Sequence, residues 1–290
     1  MKMSPTVTAY AANPRTASFQ IGMLPLDPAN WIEIDHRLGG YRREKARLIA
    51  ENRDAVWRAR SDTLEAQAEI CDRLIAYLEG ARPDVLAAAQ DQFASERDSA
   101  PLLWASRLLQ DDLVLMRKIE RAWVLAAGSV CFASSWALED KFDRSMAEIH
   151  HPVPGFAGRM GTMVDRIFDH LKPDQPVIRH NVSLYPDGDL DHRTGPDRQR
   201  ENTWKTGNPV ETFLRVERQT LMRMPLSGDI LFTIKVMTDP IAALAAHPEG
   251  RAVARRLIQD IREGTDDQRR YKAIDRVWPD LIAEIERQVL

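Results

Sequence analysis

The stretch Phe213–Met224 places the tightest constraint on what this chain can fold into. Leu214, Val216 and Met222 fall on one side of it, and Arg215, Glu217, Gln219 and Arg223 on the other. A period of two belongs to a β-strand, whose successive side chains point to opposite faces. Ser227-Gly228 supplies a turn and Asp229–Val236 a returning apolar strand, so the spacing predicts a hairpin. The polar side of the first strand admits two readings. It is either a solvated sheet face, or the lining of a pocket in which Arg meets a carboxylate and Glu a cation.

Helical periodicity surrounds this hairpin. Tyr41–Asn52 and Ser61–Gly80 read as helices, the second on Leu64, Ala68, Cys71, Leu74, Ile75 and Leu78, with Ser61 or Asp62 as cap and Gly80 and Pro83 as stop. Asp84–Gln92 and Leu108–Met116 are shorter helical candidates. The apolar run Trp123–Phe132 reads as one or two strands, Trp136–Phe142 as a helical turn, Gly155–Leu171 as a helix with Met163, Val164 and Phe168 among its inward residues, and Val177–Leu184 as a strand. Trp57, Trp104 and Trp123 are expected in the core. From Ala243 two amphipathic helices follow, split near Gly264. Helices, then strands with interleaved helices, then helices describe an α+β fold. The expected divisions are an extended lead-in at 1–40, an α+β body at 41–242 and a helical extension at 243–290.

Composition removes several functions. With 40 Lys and Arg against 43 Asp and Glu, the chain has no positive excess for nucleic acid. No apolar run approaches the roughly 20 residues of a membrane span, and residues 1–30 have no apolar core of a secretory signal. Two cysteines far apart in sequence, Cys71 and Cys131, exclude a disulfide framework or a zinc ribbon. A cytoplasmic protein is the expectation. Fingerprints for dinucleotides, phosphate loops, zinc proteases and hydrolase elbows are absent. Asp187-Gly-Asp189-Leu-Asp191 starts like a calcium loop, but His192 and Arg198 stand where that loop needs Gly and Glu.

The most distinctive positive feature is Ile149-His150-His151-Pro152-Val153-Pro154. Each proline restrains itself and its predecessor, which favours an extended segment with the two imidazoles on opposite sides. One of them can enter a cavity as a metal or haem-iron ligand; a loop histidine bonded to backbone is the plainer reading. Arg179-His180-Asn181, on the strand after the helix, fits a buried salt bridge or a cap equally well.

Together these strings resemble the haem-dependent oxidative N-demethylase α-subunit family. The resemblance runs from about Trp31 to Ala243 through Leu109-Gln-Asp-Asp112, Trp136 to Lys141, Ile149-His150-x-Pro-Val-Pro154, Val177-Ile-Arg179-x-Asn181, Leu214-Arg-Val-Glu-Arg-Gln-Thr-Leu221 and Pro225-x-Ser-Gly-x-Ile-x-Phe-Thr-Ile234. It implies a PAS-like antiparallel core holding a b-type haem, and oxidative N-demethylation of a small secondary amine such as dimethylamine to a primary amine and formaldehyde. It also implies O2 as oxidant and electrons from NADPH through flavin and iron–sulfur centres on reductase or ferredoxin-type partners. Carried onto this chain, His150 is the axial ligand, with His151 the fallback. Arg179 and Arg218 are candidates to neutralise haem propionates, and Glu217 to orient a dialkylammonium or relay protons. Two departures stand out: Val182 where the family has Trp, and Asp143 where it has Gly. The first is expected to change the pocket. A PAS-like haem or ligand sensor and a silent structural subunit are the competing readings.

Overall fold

The computed structural model describes residues 9–10, 21–87, 94–193 and 211–290. Its strands are β1 (Leu24–Pro25), β2 (Trp57–Ala59), β3 (Asp112–Ile119), β4 (Ala122–Ser129), β5 (Val177–Tyr185), β6 (Phe213–Arg223) and β7 (Ile230–Pro240). They form one antiparallel sheet in the order β1-β5-β6-β7-β3-β4-β2. The predicted hairpin is its centre: β6 pairs with β7 from Phe213↔Pro240 to Arg223↔Ile230, and Gly228 turns the chain at φ +73°. The principal helices are α1 (Leu38–Glu51), α2 (Leu64–Ala81), α3 (Pro101–Leu108), α4 (Leu138–Lys141), α5 (Met146–Ile149), α6 (Gly161–His170), α7 (Gly250–Glu263), α8 (Asp266–Tyr271) and α9 (Trp278–Val289). The fold is α+β.

Both faces of the sheet are covered. On one face Val114, Met116, Leu125 and Leu221 pack against Val164 and Phe168 of α6. On the other, α2 and α3 cover the β3–β4 half through Leu74, Leu78 and Leu102 against Leu113 and Leu115. There α7 and α9 cover the β5–β6 half through Leu257, Leu281 and Ile285 against Val182, Leu214 and Val216.

Several local expectations change. Leu108–Met116 is not a helix: α3 ends at Leu108 and β3 begins at Asp112. β3 lies between β7 and β4 with both faces covered, so Leu113–Met116 are all buried and the run shows no alternation. The second C-terminal helix is two, α8 and α9. Met163 is exposed, whereas Val164 and Phe168 are buried. Trp104 and Trp123 are core residues and Trp57 is half-buried. A 3-10 turn at Ser61–Thr63 leads into α2, which has no side-chain cap. Of the stretch Asp84–Gln92, a helix spans Pro83–Ala87, and 88–92 lie outside the described residues, as do residues 194–210.

The Gln110-Asp111-Asp112 string is an anchor of the fold. The Gln110 amide accepts from Asp35 N–H and donates to Asp35 Oδ1, both at 2.9 Å. Asp112 accepts from the Cys131 and Phe132 N–H groups at 3.0 and 2.8 Å, with the buried Lys45 ammonium 3.6 Å away. All three side chains are buried.

Candidate functional site

A cavity of about 830 Å³ lies between the β5–β6–β7–β3 face and the segment that carries α4, α5 and α6, within the ~300–1,000 Å³ usual for small-molecule sites. Apolar side chains from both sides line it, among them Val114, Phe232, Met146 and Phe168. Its polar groups come from β5 and β6 (Arg179, Asn181, Ser183, Glu217, Gln219), from His150 and Lys141, and from the Asp267–Lys272 stretch. Ile21 and Met23 of the lead-in close one side. The cavity therefore draws on all three expected divisions of the chain and follows neither boundary.

His150 is delivered by a short, well-terminated turn. Ser145 and Glu148 form a reciprocal capping box at the start of α5. The helix ends on His150, at φ −100° and ψ 6°. The segment is thus a turn rather than the extended piece expected from the prolines: the Ile149, His150 and Val153 N–H groups donate to Ser145, Met146 and His150 carbonyls at 2.8, 3.1 and 2.8 Å. Pro152 and Pro154 lack N–H groups, so neither competes with these bonds. Lys141 Nζ donates to the Ile149 carbonyl and ties the turn to α4. His150 Nδ1 lies 3.0 Å from the Met146 carbonyl. A carbonyl only accepts, so this bond assigns the proton to Nδ1 and leaves the lone pair on Nε2. The ring stacks on Phe156, centroids 4.5 Å apart and planes 16° from parallel. Burial pushes its pKa down to about 4, and the Lys141 and Arg179 cations act in the same direction. His151 is exposed and does not line the cavity.

The polar side of β6 is buried. Arg215 is 1% exposed, Glu217 8% and Gln219 6%, because β6 is internal to the sheet and the 130–171 segment covers this face. The solvated-face reading is thereby excluded. Arg215 donates to the Phe132 and Leu190 carbonyls at 2.7 and 2.8 Å, and its Nε lies 3.5 Å from Glu217 Oε1. Glu217 Oε2 accepts from Asn181 Nδ2 at 3.2 Å and Gln219 Nε2 at 2.9 Å. Arg179 donates from Nη1 to Gln219 Oε1 and from Nε to the Ile21 carbonyl, both at 3.0 Å.

His150, Arg179 and Glu217 are brought together in the cavity, and Arg218 is not. Arg218 projects through the other face, where its guanidinium donates to the Trp31 and Asn30 carbonyls at 3.0 and 2.6 Å and lies 3.6 Å from Glu33. Strand alternation forces this, since residues 217 and 218 are neighbours and point oppositely. The same parity governs Val182, which packs with Leu257 and Ile285 away from the cavity, so this departure from the family pattern does not reshape the pocket. Asp143 has φ +60°. This left-handed conformation suits Gly best and Asp better than most other residues. Lys141, Arg270 and Lys272 lie in the lining without having been marked as site residues. Lys272 belongs to a helical stretch whose sequence shows only amphipathic spacing. Among the described residues, no three His, Cys, Asp or Glu side chains converge as a metal cluster, including the Asp187–Asp191 turn.

With this geometry in place, comparison with known protein families gives a match over residues 22–282 to a family model described as haem-dependent oxidative N-demethylase, alpha subunit-like.

Proposed function

Because the chain belongs to the haem-dependent oxidative N-demethylase, alpha subunit-like, family, we propose that it is the haem-binding subunit of a multi-subunit oxidoreductase that N-demethylates a small secondary amine. The observation that carries the reading is His150: a neutral imidazole with its Nδ1 proton bonded to backbone and its Nε2 lone pair free, in an apolar cavity. Such a nitrogen matches a proximal haem ligand, whose other ring nitrogen is characteristically held by an acceptor. The cavity volume and its Phe- and Met-rich walls fit a flat apolar macrocycle of the haem b type. Bound haem would supply the O2 chemistry that no side chain here provides.

The chain's own residues have separate tasks in this reading. His150 would hold the iron, and Arg179 would neutralise a propionate by a charge-assisted hydrogen bond. Glu217, whose carboxylate lines the cavity, would orient the amine as its ammonium. The overall change converts secondary amine, O2, NADPH and a proton into primary amine, formaldehyde, water and NADP+. Cys71 and Cys131 are both buried, with burial pushing their thiols up to about 11 and about 12. Neither suits cluster ligation, which needs thiolates, so the electrons are assigned to flavin and iron–sulfur partners.

The decisive measurement is a haem titration followed by the Soret band. Wild type and His151→Ala should bind one haem with the same spectrum, and His150→Ala should lose or strongly alter it. An unchanged His150→Ala spectrum removes the ligand assignment. Formaldehyde release with a reductase present separates the enzyme from a haem sensor.

A further inference from the structure

β5 and β6 set Asn181 directly opposite Glu217, with Gln219 two residues along on the same face. Each of the two amides is turned by a cation. Lys272, just beyond α8, places Nζ 3.3 Å from Asn181 Oδ1, 2.8 Å from the Val182 carbonyl and 3.1 Å from Ser183 Oγ. An ammonium only donates, so Asn181 must present its oxygen to Lys272 and its NH2 group to Glu217 Oε2, at 3.2 Å. On the other side Arg179 takes the Gln219 oxygen, which directs the Gln219 NH2 group to the same Oε2 at 2.9 Å. One carboxylate oxygen thereby receives two oriented donors, and the other, Oε1, lies 3.5 Å from Arg215 Nε. Among the described residues β1 pairs with Val177 and Ile178 and no strand flanks the rest of β5 on that side, where Lys272 bonds the Val182 carbonyl.

We infer that Lys272 is a positioning residue for Glu217. By fixing the orientation of the Asn181 amide it directs an N–H donor onto the Glu217 carboxylate, so a residue at the end of α8 helps hold the acidic group of the cavity in place. The consequence for amine binding rests on the reading of Glu217 given above; the Lys272–Asn181–Glu217 link does not.

The test is a double-variant cycle on the full chain, Lys272→Met, Glu217→Gln and both together, with Lys272→Arg as the conservative control. Thermal unfolding of the ligand-free protein reports the link. If Lys272 acts through Asn181 on Glu217, the losses in Tm overlap, and the double variant falls by clearly less than their sum. Additive losses overturn the inference. Lys272→Gln runs the same cycle should the Met variant not fold. Dimethylammonium chloride titrated into the haem-loaded protein then reports the consequence. Its Kd should rise on the order of tenfold in Lys272→Met, recover in Lys272→Arg, and not change further when Lys272→Met is added to Glu217→Gln. Overlapping losses in Tm with no dimethylammonium binding by wild type would uphold the link and overturn the amine-binding role of Glu217.

Discussion

Asp112 shows how far a single side chain can govern this fold. Its carboxylate accepts two backbone N–H bonds and faces the buried Lys45, whose Nζ also donates to the Ser106 carbonyl at 3.1 Å. Replacing Asp112 by Ala strands a buried cation and two N–H groups, a loss of about 3–5 kcal/mol. Guanidinium unfolding checks this, with Asp112→Asn expected to cost less because it keeps an acceptor. The histidines make a separate prediction. Burial lowers both His150 and His180 to about 4 from the ordinary value of 6.5. The folded chain holds them neutral while the unfolded chain protonates them, so their contribution is complete above pH 6.5 and is lost as pH falls toward 4. Asp111 and Asp112, pushed up by burial, act with the opposite sign. The measurement is therefore the difference in Tm between wild type and His180→Asn, which should shrink from pH 7 to pH 4.5. A difference independent of pH would contradict the neutral, buried state. At this scale much of the site was legible in the sequence. The proline-flanked string singled out His150, whereas the resemblance grouped Arg218 with Arg179, although strand parity sets Arg218 on the face opposite Glu217. The Asn181–Glu217 and Arg179–Gln219 contacts had no local signal, because each joins residues 36 or 40 positions apart in the chain.

Among the elements, β6 and β7 were readable because alternation and the Ser227-Gly228 turn agree. β3 was not, since a central strand covered on both faces has no polar side and its apolar run matches a helix equally well. Two turns make specific predictions. Asp143, at φ +60°, also pairs with Arg60 at 2.7 Å in a partly exposed contact. Asp143→Gly should leave stability within about 1 kcal/mol of wild type, since relief of backbone strain offsets the lost ion pair. Asp143→Ala keeps the left-handed strain, loses the pair and should fall about 1–2 kcal/mol below it. Urea midpoints of the two variants decide the order. Gly250 opens α7 where an added Cβ would overlap the Leu244 carbonyl. Gly250→Ala should therefore lower Tm by displacing α7 from Ile241–Ala246, and should loosen haem by disturbing the Asp267–Lys272 side of the cavity. A Soret titration read beside Tm tests both effects.

In the whole molecule, the C-terminal helices are structural for the sheet and part of the site. α7 and α9 bury Val182, Leu214 and Val216 on the face away from the cavity, while the Asp267–Lys272 stretch reaches the cavity lining. Removing 247–290 should expose that apolar face and yield aggregated protein. A truncated chain that unfolds cooperatively and titrates with haem would show the extension to be dispensable. The amino-acid sequence by itself determined the α+β pattern and the central hairpin, because periodicity and turn chemistry act over a few neighbouring residues. Only the tertiary structure decided that the polar face of β6 is enclosed, that Arg218 lies outside the cavity, and that Lys272 meets Asn181 from ninety-one positions away. Burial and convergence depend on which distant segments cover a face, and local spacing does not encode that choice.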